Sequence, residues 1–264
     1  QINGASQVTT YLEGENKISI NKSEKFSSPA GISVAKGAKL TIDKEPERQG
    51  SIEVLNKTNV NKTGAAIGGN VGQDTGIIHI KGGTVTATSA SGSDGAAIGA
   101  SASKSVKEIQ ISGGDVTAKS SGGAGIGTGS ANGQKRTGKI VIEGGTVNAS
   151  SLSGAGIGSG YGYAPGSQTI TADIEIHGGM ITAYSKWGAC IGSGNASSSK
   201  VLIDGGTICL DKKTTGYRKV AHIGMGESSN TQVQTDVTIT GGTICLIGAN
   251  GHIPRPIIYG WGEG

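Results

Sequence analysis

Gly154-Ala155-Gly156-Ile157-Gly158 is the stretch that decides the fold, because the chain keeps rewriting it. The same five-residue phrase stands as GAAIG at 64–68 and 95–99, as GAGIG at 123–127 and as GACIG at 188–192, with a degraded VAHIG at 220–224. Successive starts are 31, 28, 31, 34 and 32 residues apart. A period near thirty residues marks a solenoid or a propeller.

Working outward from the phrase, each repeat carries two further strand-like pieces. One alternates Ile or Val with polar residues and ends in Gly-Gly: IIHIKGG at 77–83, EIQISGG at 108–114, IVIEGG at 140–145, IEIHGG at 174–179, VLIDGG at 201–206 and VTITGG at 237–242. The next follows at once as TVTA, DVTA, TVNA, MITA and TICL twice. Alternation with period two reads as half-buried strand, and the glycine pair as a sharp corner. Three short strands per period make one rung of a parallel β-helix, each strand pairing with its equivalents about 4.8 Å above and below. Propeller blades need roughly forty residues and four antiparallel strands, so that architecture is excluded. Crossovers between parallel strands are right-handed. The expected fold is therefore all-β, a right-handed single-stranded parallel β-helix of about seven to eight rungs.

The repeat can be traced back to residue 31: GISV at 31–34 lies one period ahead of the phrase at 64–68, and SIEVLN at 51–56 one period ahead of TVTATS at 84–89. Three segments follow. Residues 1–30, with weak strand signals at 8–12 and 18–20, read as an N-terminal cap or irregular first rung; 31–247 are β-helix repeats; 248–264 read as a partial last rung or C-terminal cap. Pro254 and Pro256 suit an edge, because they cannot donate ladder hydrogen bonds. The abrupt opening QINGASQ reads as an excerpt of a longer polypeptide.

Composition agrees. Glycine supplies 49 of 264 residues at fixed places in each repeat, and only 3% of residues are aromatic, so no bulky globular core is available. A net charge of +4, scattered along the chain, does not argue for nucleic acid, and no apolar run is long enough to span a bilayer. Three cysteines show no zinc spacing. Inside the rod the register predicts columns of like residues: Ile67 to Ile223, Ile80 to Ile239, and Val85 to Ile244.

Parity places polar residues outside. Lys81, Ser112, Glu143, His177, Asp204 and Thr240 form one outward file, and His79, Gln110, Val141, Glu175, Leu202 and Thr238 the file beside it. Glu143, Glu175, His177 and Asp204 thus fall on one face. Carboxylates two rungs apart, about 9.6 Å by strand spacing, suit an inverting glycosidase pair or a cation. The competing reading is a solvated face whose polar files keep a flat sheet from sticking to others. No cofactor is expected; calcium on these carboxylates is the one metal considered, and no calcium-loop motif supports it.

Aromatics crowd into 161–217: Tyr161 and Tyr163 in the loop after one phrase, Tyr184 and Trp187 in the loop after a third strand, and Tyr217 in the equivalent loop one rung on. Such rings stack on sugar faces, anchor a protein partner, or merely cover rung edges. The first pair is expected at a different corner from the others. A shallow outward strip of small residues is expected from Ala66, Ala97, Gly125, Gly156 and Cys190, closed by His222. Cys209 and Cys245 hold equivalent outward places on adjacent rungs and are expected as stacked thiols rather than a bridge. Thr86, Thr117, Asn148, Thr182, Cys209 and Cys245 form a file too irregular for an ice-binding array.

The run GAGIG…IxIxGGTVTA over about 31–247 resembles the glycine-rich β-helix repeats of large surface proteins from Gram-positive, often gut-dwelling bacteria. The resemblance implies an extracellular location and a binding or glycan-related role, and supplies no catalytic residue. The expected function is a non-catalytic adhesion module that recognises a host or dietary glycan, or a host protein, through Tyr161, Tyr163, Tyr184, Trp187 and Tyr217. A β-helical glycoside hydrolase or polysaccharide lyase using Glu143, Glu175, His177 and Asp204 is the alternative, and a structural spacer the third reading. Neither nucleic acid nor membrane insertion is expected.

Overall fold

The computed structural model describes residues 1–21, 27–58, 62–90, 92–130, 136–162, 170–211, 220–226, 234–247 and 258–259. Their strands gather into three eight-stranded parallel sheets, with one further two-stranded pair, Ser27–Ser28 on Lys62–Thr63. The first long sheet stacks Gln7–Leu12, Lys39–Lys44, Thr75–Ile80, Val106–Ile111, Arg136–Ile142, Ile170–Ile176, Ser198–Ile203 and Thr235–Ile239. The second stacks Gly14–Ile20, Gly50–Asn56, Thr84–Ser89, Asp115–Lys119, Thr146–Ser151, Met180–Ser185, Thr207–Asp211 and Thr243–Ile247. A short sheet of two-residue strands runs from Ile32–Ser33 through Ile157–Gly158 to Ile258–Tyr259. Each turn of chain gives one strand to each sheet in that order, so the molecule is a parallel β-solenoid. Turn five, for example, holds Arg136–Ile142, Thr146–Ser151 and Ile157–Gly158, and turn six Ile170–Ile176, Met180–Ser185 and Ile191–Gly192.

Like residues pair with like. Ile126, Ile157 and Ile191 lie in register in the short sheet, Ile142, Ile176 and Ile203 in the first long sheet, and Val147, Ile181 and Ile208 in the second. All nine are buried and belong to one continuous core. Burying each such side chain stabilises the stack by roughly 1.5–3 kcal/mol. Of the closing segment 248–264, only Ile258–Tyr259 are described, paired in parallel with Ile223–Gly224. Pro254 and Pro256 lie outside the described residues.

The glycine phrase is an arch rather than a strand. In every copy the amide of its second residue donates to the carbonyl four residues on: Ala96 to Ala100 at 3.0 Å, Ala124 to Thr128 at 3.0 Å, Ala155 to Ser159 at 2.9 Å, Ala189 to Ser193 at 2.9 Å. The Ile-Gly step is extended and pairs between turns, flanked by the amide of the third residue, as Gly156 donates to the Ala189 carbonyl at 3.2 Å. In the middle of the stack the glycine is required: Gly158 sits at φ +136°, and a Cβ there would lie 1.9 Å from the Gly192 carbonyl oxygen of the next turn. Buried serines tie the arches vertically. Ser151 Oγ donates to the Gly123 carbonyl at 2.7 Å and accepts from the Gly154 amide at 3.0 Å; Ser185 repeats this one turn on, at 2.7 and 2.8 Å to Gly154 and Gly188.

The arch overturns the expected outward strip. The small third residues face inward: Ala66, Ala97 and Cys190 are buried in the core, and His222 is buried as well. They are small because the arch presses on the second long sheet, where a Cβ on Gly156 would stand 2.8 Å from the Tyr184 carbonyl oxygen. No accessible strip exists along this file. A further correction concerns Cys209 and Cys245, which form a disulfide between turns seven and eight, with their Cα atoms 4.6 Å apart. One turn of the stack already falls within the 4.4–6.8 Å Cα window that a disulfide accepts.

Candidate functional site

The outer face of the first long sheet carries the sequence-predicted carboxylates, and the register fixes their neighbours. Glu175 follows Val141 and precedes Leu202 in one file, while Glu143, His177 and Asp204 succeed one another in the file beside it. Three of the four candidates meet. His177 shares a hydrogen bond with Asp204 through Nδ1 at 2.8 Å, and its Nε2 stands 3.6 Å from Glu175 Oε2. Glu175 also faces Lys139 Nζ at 3.3 Å. Glu143 stands apart from this group and accepts a hydrogen bond from Gln110 Nε2 at 3.0 Å. A third file alternates in sign, with Glu108, Lys139, Asp173, Lys200 and Asp236 in register.

Electrostatics differ along this face. The hydrogen bond to Asp204, with Glu175 behind it, holds the His177 imidazole above its ordinary pKa, against a smaller opposing effect of burial. His79, hydrogen-bonded to Ser112 Oγ at 2.9 Å, moves the other way, chiefly by burial and then by the positive charges of Lys39 and Lys81. The His177 group is a cross-turn ion-pair ladder in which each carboxylate has a partner. Among the described residues, no group of three or more His, Cys, Asp or Glu side chains is placed to hold a metal ion.

The second candidate is the aromatic side of the stack. Tyr184 lies within the strand Met180–Ser185 rather than in the loop after it, half-buried between Ser150 and Asp211 on the neighbouring turns. The parallel ladder continues past the strand end: the Lys186 amide donates to the Ser151 carbonyl at 3.2 Å and the Trp187 amide to the Leu152 carbonyl at 2.9 Å. This sets Lys186 across from Leu152. Trp187 is 37% exposed and Leu152 39%, and Lys186 Nζ lies 5.0 Å from the centroid of the indole.

Tyr161 belongs to this same side, contrary to its expected separate corner. Its amide donates to the Gly122 carbonyl at 3.1 Å, in the loop that leads into the arch of turn four. The closed arch is the cause, because it returns the chain beside the place where it left. Tyr163 and Tyr217 lie outside the described residues. Sequence reasoning missed Lys186 and Leu152. The first was flagged only by its neighbour Trp187, and the second becomes its partner only through a register offset of one turn.

Four stretches, 78–102, 109–130, 140–161 and 174–195, match a family model described as a beta helix repeat. Each contains one alternating strand of the first long sheet, the glycine corner, one strand of the second sheet and one arch phrase, which is one turn of the solenoid. The chain thus carries a parallel β-helix repeat domain. No curated protein and no solved structure matches it.

Proposed function

We propose that the chain is a non-catalytic recognition module of an extracellular bacterial protein, binding a glycan at the aromatic side of turns five and six. One observation carries the reading: a rigid stack sets the exposed Trp187 beside Lys186, with Leu152 across the ladder. Half-exposed rings on a pre-ordered backbone offer contact area at low entropic cost, which is what stacking on a sugar face requires. The Cys209–Cys245 disulfide fits an oxidising compartment. The resemblance to repeats of Gram-positive gut bacteria supports the same setting.

The hydrolase or lyase alternative rests on Glu143, Glu175, His177 and Asp204, and their pairing speaks against it. Gln110 engages Glu143, Lys139 and His177 engage Glu175, and His177 engages Asp204, all on the outer face of a regular sheet. A general acid and base need polar atoms turned toward a substrate, not toward one another.

The test is binding of the purified chain to an array of defined glycans. Saturable binding is expected, weakened about tenfold or more by Trp187→Ala, the loss typical of an aromatic anchor. Unchanged binding in that variant sinks the assignment of the site. Release of a reducing sugar, lost in Asp204→Asn while binding persists, would instead favour the enzyme.

A further inference from the structure

Resting on that reading and deepening it, we infer that the site selects glycans bearing a carboxylate, such as a terminal sialic acid, over their neutral counterparts. Lys186 is the reason. Its ammonium stands over one face of the Trp187 ring, a cation–π arrangement worth about 0.5–1 kcal/mol at an exposed position. A neutral pyranose stacking on that face must displace the ammonium and loses this energy. A sugar carrying a carboxylate turns the competition into attraction, because it pairs with the ammonium through a charge-assisted hydrogen bond while its apolar face meets the indole.

The surroundings leave Lys186 suited to this task. Elsewhere on the rod Lys17 pairs with Glu53 and Lys139 with Glu175. Among the described residues Lys186 forms no ion pair. Its neighbour across the ladder is the apolar Leu152, and Tyr184 on its own strand is uncharged. The nearest acid in register, Asp211 opposite Tyr184, has its Oδ1 atom buried. The ring also fixes the cation in place before ligand arrives, so less side-chain freedom remains to be lost on binding.

Titration calorimetry with sialyllactose and lactose separates the outcomes, since the two share a neutral core and differ by the acidic sugar. The chain is expected to bind sialyllactose about tenfold more tightly, the margin of one hydrogen bond to a charged group. Lys186→Gln, an exposed change whose fold is checked by circular dichroism, should abolish that margin by weakening sialyllactose and, with no ammonium left to displace, by tightening lactose about two- to fivefold, while Trp187→Ala weakens both. A preference that survives Lys186→Gln, or equal affinity for the two sugars in the parent chain, overturns the selectivity and leaves glycan recognition standing. Absence of binding to either sugar and to every glycan of the array overturns both.

Discussion

The first and last described turns differ in what they place at the inward positions of the stack. In the first, Thr10 stands opposite Ile42 and Asn16 opposite Ile52, so two inward places are polar where the turn behind carries isoleucine. Asn16 Nδ2 donates to the carbonyls of Glu13 and Ser51 at 3.2 and 3.0 Å, and ion pairs of Arg48 with Glu13 and Lys17 with Glu53 bind this turn to the second. In the last, Val237, Ile239 and Ile244 continue the apolar columns but are only half-buried, and Leu246 is 41% exposed although Leu210 opposite it is buried. An end turn must present something other than bare core to water. The first turn changes the chemistry of its inward places. The last keeps the chemistry of the repeat and is fastened to turn seven by the Cys209–Cys245 bridge.

The largest effect should come from the same substitution made in the middle and at the end. Ile157→Asp buries an unpaired charge in a column sealed on both sides and should unfold the chain, at a cost above about 4 kcal/mol. Ile244→Asp, half-exposed in the last turn, should cost about 1–2 kcal/mol. Urea unfolding followed by far-ultraviolet circular dichroism measures both, and equal losses would deny the last turn its peripheral status. Next in size is the bridge. Replacing Cys209 and Cys245 by serine removes a cross-link spanning 36 residues of sequence, with a cost of about 2–4 kcal/mol confined to the last turn. Hydrogen exchange should then quicken by about two orders of magnitude in Thr243–Ile247 and stay unchanged in Thr146–Ser151 and Gly14–Ile20. A uniform loss of protection would show that the bridge stabilises the whole rod.

Much of this was legible in the chain. The thirty-residue period, the three columns and the outward parity of Glu175, His177 and Asp204 follow from spacing alone, because strand pairing in a parallel stack repeats the sequence offset turn by turn. The arch was not legible. Gly-Ala-x-Ile-Gly alternates small and large like a strand, and only the closure of an amide on a carbonyl four residues away shows that its third residue points inward. Both the missing small-residue strip and the position of Tyr161 trace to that one geometric fact. The disulfide was not legible because equivalent outward places on adjacent turns admit either stacked thiols or a bridge, and the Cα separation of 4.6 Å decides for the bridge. Lys186 and Leu152 escaped because a pairing one turn apart carries no motif.

The smallest effects contrast the two halves of the first long sheet through their histidines. His177 is held above the usual imidazole value of 6.5 by Asp204 and Glu175, so the folded chain binds its proton more tightly than the unfolded chain does. Its contribution is fully present below the unfolded value and is lost as pH rises through the folded one. His79 is held below 6.5, so the folded chain resists its protonation, and stability falls as acid drives the unfolded chain to take up that proton. As pH falls through the ordinary imidazole value of 6.5 the two therefore act with opposite signs, and solvent screening keeps both effects small. His177→Gln should lower the melting temperature at the acidic end relative to the parent chain, and His79→Gln should raise it there, with both converging at the alkaline end. Nuclear magnetic resonance titration of the imidazole carbons gives the two pKa values directly. If His177 titrates at or below His79, the ladder with Asp204 does not hold a proton in solution, and the two halves of the sheet are electrostatically alike.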